Sequence, residues 1–230
     1  IESDIDSIPA MYIRGIIENN VSRGMSKKTM LIDLIKDINF NGNQFAIGQI
    51  TKVSERAVAA EGIAVFSDGK LVGWLNPTET RGYLFAVNKI RSTIVNILTD
   101  DTKAAMEILR SKGKFDVEFE NGKPARLTVK VRLDANVGEY WGKVKLDSPD
   151  LLDKLEELLS EEVKKEIKLA LDRTQRDYSS DIFGFRAKVY KYHPQYLKEI
   201  DNKWNDIFSK LPVEINVDAK IRRTGLIKKQ

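Results

Sequence analysis

The stretch from Ser148 to Tyr178 constrains this chain most, because after Pro149 about thirty residues run on with neither proline nor glycine. Leu152, Leu155, Leu159, Val163, Ile167 and Leu171 recur every three or four positions, which at about 3.6 residues per turn draws one apolar stripe along a helix. Ser148 is placed to cap the free amides, Pro149 suits the first helical position, and Asp150 complements the positive end of the dipole. At ~1.5 Å per residue such a helix runs roughly 45 Å, the width of a small domain. It is a girder, and nothing on it carries chemistry.

The rest of the chain must supply what the girder packs against. Val213, Ile215, Val217, Ala219 and Ile221 alternate with Glu214, Asn216, Asp218, Lys220 and Arg222, a strand with one buried and one charged face. Phe115, Val117 and Phe119 alternate with Asp116, Glu118 and Glu120, and Leu127, Val129, Val131 and Leu133 with Arg126, Thr128, Lys130 and Arg132. A two-residue loop at Asn121-Gly122 sets Val117 against Arg126; a three-residue loop through Lys123 sets Val117 against Leu127 and Glu118 against Arg126. The latter is preferred, with acid facing base on a solvated outer face. Ser92 to Leu98 and Lys103 to Arg110 read as two further strands around Thr99-Asp100-Asp101-Thr102.

Towards the N-terminus, Ser7 to Asn20 predicts a helix with Ile13, Ile16 and Ile17 on one side. Ser26 is placed to cap a second helix carrying Leu31, Leu34, Ile35 and Ile38. Strands follow at Phe45–Lys52 and Ala57–Phe66, the latter central because it is mostly apolar. Asp68-Gly69 marks a hairpin that pairs Phe66 with Leu71 and Val65 with Val72. Asn76-Pro77-Thr78-Glu79 then reads as a capping box opening a short helix through Tyr83, Leu84 and Val87. After the girder, a helix reaches Tyr192, and His193-Pro194 starts another with Leu197, Ile200, Trp204, Ile207 and Phe208 inward until Pro212.

The fold expected is α+β in two parts. Residues 1–89 form a small mixed domain with the hairpin at 63–75. Residues 90–230 form a largely antiparallel sheet with the long helix and two further helices on one face.

Composition closes off much chemistry. There is no cysteine, so disulfides, thiolate nucleophiles and cysteine metal sites are excluded. The single histidine, His193, precedes a proline and reads as a helix-start residue rather than a base or ligand. The 38 basic and 34 acidic residues leave a net charge of +4 spread along the chain, too small and dispersed for a nucleic-acid footprint. The basic C-terminal end at Lys220, Arg222, Arg223, Lys228 and Lys229 reads as a solvated strand face and tail. No apolar run approaches the ~18 residues of a membrane span. The glycines never form a phosphate-cradling pattern, the carboxylates do not cluster, and no cofactor or metal is expected. Trp74 and Trp204 read as core. Tyr140-Trp141, at a strand end after Gly138-Glu139, is the candidate partner-binding pair.

Two sets of residues carry a family resemblance. One is Ile63-Ala64-Val65-Phe66, Lys70-Leu71-Val72-Gly73-Trp74-Leu75 and Glu79-Thr80-Arg81-Gly82. The other is Asp181-Ile182-Phe183-Gly184-Phe185, His193-Pro194, Trp204, Ile207-Phe208, Pro212-Val213 and Val217, ending at Arg222-Arg223-Thr224-Gly225. In this order and spacing, over about residues 60 to 228, the chain resembles the Ger(x)C family, the C subunits of spore germinant receptors.

The resemblance implies a non-enzymatic lipoprotein on the outer face of the spore inner membrane of a Bacillus- or Clostridium-type organism. Its partners there are the membrane-embedded A and B subunits, with which it triggers germination by nutrients. No catalytic residues come with it. The family's lipoprotein signal peptide, lipidated cysteine and further N-terminal domain are not in this sequence, which opens on Ile1-Glu2-Ser3-Asp4 without a Met. The expectation is a precursor whose N-terminal apolar segment ends in a diacylated cysteine, each chain contributing ~0.8 kcal/mol per buried methylene to attachment.

Two other classes stay open. One is a solute-binding module holding a small polar ligand between the two parts, favoured by a deep pocket of convergent polar groups. The other is an enzyme using carboxylates alone, favoured by buried carboxylates with strongly shifted pKa values.

Overall fold

The computed structural model describes residues 9–54, 57–142, 148–200 and 203–224. Helix α1 (Pro9–Ser22) and helix α2 (Leu31–Phe40) precede strands β1 (Phe45–Gly48), β2 (Thr51–Lys52), β3 (Val58–Ala59), β4 (Ile63–Ser67) and β5 (Lys70–Leu75). Helix α3 (Pro77–Ala86) leads into β6 (Thr93–Leu98) and two long strands, β7 (Lys103–Glu120) and β8 (Lys123–Trp141). The girder is α4 (Pro149–Asp172), continued by a π-helical turn at Arg173–Asp177. Helices α5 (Phe185–Tyr192), α6 (Pro194–Ile200) and α7 (Trp204–Phe208) lead to β9 (Val213–Thr224). This is an α+β fold, with α4 and the C-terminal helices sharing one core with the apolar face of a four-stranded sheet.

That sheet runs β6-β7-β8-β9, antiparallel except that β9 joins β8 in parallel. The parallel pairing follows from the connection, since α4 to α7 carry the chain back to the strand's starting end. Val129 is fully buried and Ile215 packs partly buried against the core, so the strands face as their alternation requires. The stripe on α4 buries Leu151, Leu155, Leu159, Val163, Ile167 and Leu171, with Leu151 taking the place read for the half-exposed Leu152. Ser148 is the N-cap residue, but its side chain makes no capping bond.

In the long hairpin, Val117 does oppose Leu127 and Glu118 does oppose Arg126. The device differs from a three-residue loop. Glu120 pairs with Lys123 across a two-residue turn, Asn121 and Gly122 both taking positive φ, and the register shifts by one between Glu118 and Phe119. The turn takes the favoured left-handed geometry, and the extra residue is absorbed as a bulge at Ala125. The same occurs beside Asp68-Gly69. Phe66 opposes Leu71, but Val65 opposes Gly73 rather than Val72. That bulge leaves Leu71, Val72 and Trp74 exposed, so Trp74 is a surface residue at 52% exposure and not core.

The N-terminal elements are tied both locally and to the rest of the chain, Ser180 donating to the Phe66 carbonyl at 2.9 Å and Arg186 to the Phe40 carbonyl at 2.8 Å. Asn76 and Glu79 form the reciprocal capping box of α3, each side chain bonding the other's backbone N–H at 2.9 Å. Ser26 does not cap α2, which starts after Met30. Instead it is buried and donates to the Gly62 carbonyl at 3.3 Å. β4 is the central strand of a three-stranded sheet β1-β4-β5, as its apolar character requires.

Helix α3 lies across α4 at Gly82, where an added Cβ would stand 2.1 Å from the Glu166 carbonyl oxygen. Backbone cannot yield as a side-chain tip can. Gly82→Ala should therefore destabilise the chain by about 3 kcal/mol in denaturant melts. Gly15→Ala, with nothing within 4 Å of its Cβ position in α1, should instead stabilise by about 0.5–1 kcal/mol.

Candidate functional site

The buried ionisable groups come first, because they decide between chemistry and structure. Asp181 is fully buried between the girder and α5. One carboxylate oxygen accepts from the backbone N–H of Gly184 at 3.0 Å and of Phe185 at 3.1 Å. The other accepts from Arg186 N–H at 2.6 Å and from the Trp204 indole N–H at 3.0 Å. Burial pushes its pKa up, against the pull of these four donors. All four donors belong to the protein and leave no acceptor position for a substrate. Asp181 fixes the start of α5 and the position of Trp204.

Glu166 is buried on α4 and receives a two-pronged contact from Arg81 on α3, Nε to Oε2 at 2.9 Å and Nη2 to Oε1. Burial raises its pKa, and the guanidinium opposes that rise. Two turns further on, Arg173 donates to Glu79 Oε1 at 3.1 Å. Lys27 donates to the Ala46 carbonyl at 3.0 Å and stands over the Tyr83 ring. Burial draws its pKa down, while Tyr83 and Asp37 more than offset this. These shifted groups are pairwise ties between elements. Among the described residues no group of three or more His, Asp or Glu is arranged to hold a metal.

His193 caps α5, its carbonyl accepts from Leu197 N–H at 3.2 Å in α6, and its ring stacks on Phe119 at 3.8 Å. A groove of about 520 Å³ lies within the first part, walled by Ile13, Ile17, Ile47 and Ile50. Its charged rim pairs with itself, Glu18 meeting Arg14 at 3.0 Å and Lys28 at 3.9 Å, rather than converging on the space.

The surface holds more. Tyr140 and Trp141 alternate along β8 and point to opposite faces. Tyr140 is partly buried against the core. Trp141 is 59% exposed, opposite Lys103, which pairs in turn with the exposed Leu98 of β6. The structure thus separates the pair and sets Trp141 on the same face and at the same end of the sheet as Leu98, with Lys103 between them. Burial alternates strictly along β6 and leaves Leu98 outward, but Ile94-Val95 and Ile97-Leu98 are adjacent apolar pairs, so the residues carry no matching signal. The apolar residues of the second helix, α2, also lie towards the surface. No residue of α2 is fully buried, and Leu31 is 73% exposed.

A family profile described as "Spore germination B3/ GerAC like, C-terminal" matches residues 61–225. The chain belongs to this family. It is the family to which the residues around Gly73-Trp74 and Asp181 point. Over 230 residues the chain is 27% identical to "Spore germination protein YndF" of Bacillus subtilis (strain 168), covering 97% of this chain and 56% of that protein. It is 29% identical over 171 residues to "Spore germination protein KC" of the same organism, covering 73% of this chain and 42% of that one. The chain thus spans about half the length of these relatives. A solved structure, "Crystal Structure of the GerBC protein", superposes with a TM-score of 0.71 at 20% identity, over 85% of this chain and 63% of that chain, and so shares the fold.

The carboxylate of Asp181 is a structural acceptor, and its substitution tests this. Asp181→Asn turns an NH2 group towards two N–H donors and should cost roughly 3 kcal/mol of stability. A red-shifted Trp204 emission should accompany the loss, whereas unchanged stability would mean that the four donors contribute nothing.

Proposed function

We propose that this chain is the folded, C-terminal part of a germinant-receptor C subunit, working by contact and not by catalysis. The observation that carries the reading is the family match over residues 61–225. Supporting it, each buried carboxylate described above is spent on an internal tie, and the exposed apolar groups lie on the outer surface. The partners proposed are the receptor's A and B membrane subunits. The full-length protein is proposed to be held at the spore inner membrane by a lipidated cysteine. No helix among the described residues is long and apolar enough to cross a membrane, so attachment of this kind would come from outside the folded part described here.

Trp141, exposed on the same face as Leu98 with Lys103 between them, is the aromatic anchor we propose for a partner contact. A large ring on a rigid strand orders little on binding, which is why such residues dominate interfaces. Tyr140 serves it from the inner face by packing.

The test uses full-length tagged protein and solubilised spore inner membrane. Recovery of the A and B subunits is expected, together with incorporation of labelled palmitate into the tagged chain. Trp141→Ser should cut subunit recovery by at least about fivefold with the melting temperature unchanged. Recovery of neither subunit would overturn the reading.

A further inference from the structure

The outer face of the four-stranded sheet is not the acid-against-base surface that its alternating residues imply. Near the hairpin tip the pattern holds, since Glu118 opposes Arg126 and Arg126 reaches Glu214 at 2.7 Å. Towards the middle of the sheet it fails. Lys114 directly opposes Lys130, and Lys112 directly opposes Arg132. Arg110, after a bulge at Leu109, continues the same exposed row. Like charges placed opposite on one face destabilise a strand pair.

The neighbours relieve this only in part, Glu214 on β9 acting on Lys130 without closing to an ion pair. Asp134, opposite Arg110, is held by Arg222 at 2.6 Å, and Glu214 is held by Arg126. Asp218 stands opposite Arg132 on β9 without closing to an ion pair. Among the described residues, Arg110, Lys112, Lys114, Lys130 and Arg132 make no ion pair or side-chain hydrogen bond, and all five are exposed. A cost of folding is thus left standing on an open face.

We propose that this patch docks an extended acidic segment of a partner protein. Along β7, Arg110, Lys112 and Lys114 recur every second residue, roughly 6.8 Å apart, the spacing of alternate side chains on an extended chain. Lys130 and Arg132 lie one strand away, at about 4.8 Å. An extended segment with a carboxylate at every second position therefore meets one cation per carboxylate, flanked at Lys112 and Lys114 by a second. The rims exclude a flat anionic surface. Asp116, Glu118 and Glu120 bound the patch towards the tip, and Glu107 and Glu139 bound it at the other end, all exposed. A bilayer laid on this face would meet those carboxylates as well as the lysines, while a narrow strand avoids them. The inference does not rest on the germinant-receptor reading.

The experiment uses the 230-residue chain and a fluorescein-labelled heptapeptide of alternating glutamate and threonine, followed by polarisation. Saturable binding is expected, weakening at least about fivefold as salt rises from about 50 to about 300 mM. The double variant K112E/K114E turns both like-charged pairs into opposite-charged ones. It should bind at least about tenfold more weakly while melting about 1–4 °C higher. A loss of binding with a lowered melting temperature would reflect damage to the fold and count against the proposal. So would unchanged binding by the variant, or equal binding of the glutamine–threonine peptide. Preferential co-sedimentation with phosphatidylglycerol vesicles, abolished by K112E/K114E, would replace the acidic segment with a membrane.

Discussion

The structure depends on the crossing of α3 and α4. A glycine at position 82 lets the two helix backbones touch, and the residue before it, Arg81, closes on Glu166 at the same point. Taking both charges out of water is expensive, and the pair repays this only through its two-pronged geometry. What the pair supplies is register. With Glu166 bound, Arg173 two turns later falls beside Glu79, whose other oxygen already closes the capping box of α3. The π-helical turn that follows carries Tyr178 against β5, where its hydroxyl donates to the Trp74 carbonyl at 2.8 Å and accepts from Trp74 N–H at 3.2 Å. Gly73 has to be a glycine there, because a Cβ would stand 2.5 Å from the tyrosine ring. One helix thereby sets the position of the small sheet relative to the large one.

The same helix protects an edge. β9 ends the large sheet, and its outward N–H groups at Ala219 and Ile221 are taken by Ser160 at 3.1 Å and Glu156 at 2.8 Å. Over Ala219 to Ile221, side chains of α4 thus do what a further strand would do and leave those two N–H groups closed to another chain. We propose that partner contact falls to the outer face of the sheet, which no such device covers among the described residues. Among the described residues that face exposes Trp141 and Leu98 towards one end and, between acidic rims, a band of cations in the middle.

Much of this was legible in the residues. The stripe on the girder, the capping box at Asn76 and the one-sided strands each repeat a signal over several positions, and the core follows them. The bulges were not legible. Skipping Val72, Leu109 and Ala125 changes which residues oppose one another, and each skip depends on twist and neighbouring contacts that a pattern of period two does not encode. Trp74 illustrates the consequence, an apolar residue read inward and found outward. The exposed α2 marks another limit, since amphipathic spacing predicts a helix but not that something covers it. The stacked lysines escaped for another reason. The register of Val117 with Leu127 already sets Lys114 against Lys130, but the acid-against-base reading rests on Glu118 and Arg126 near the tip and does not hold further along the strands.

We propose contact rather than turnover for this scaffold, whose buried charges are tied internally and whose band of cations is exposed. The measurement that tests this most directly is nutrient-triggered germination of spores whose full-length protein carries K112E/K114E, with the protein's level checked by immunoblot. The account predicts a normal level of protein and slowed germination. A normal level with germination at the unaltered rate would contradict it.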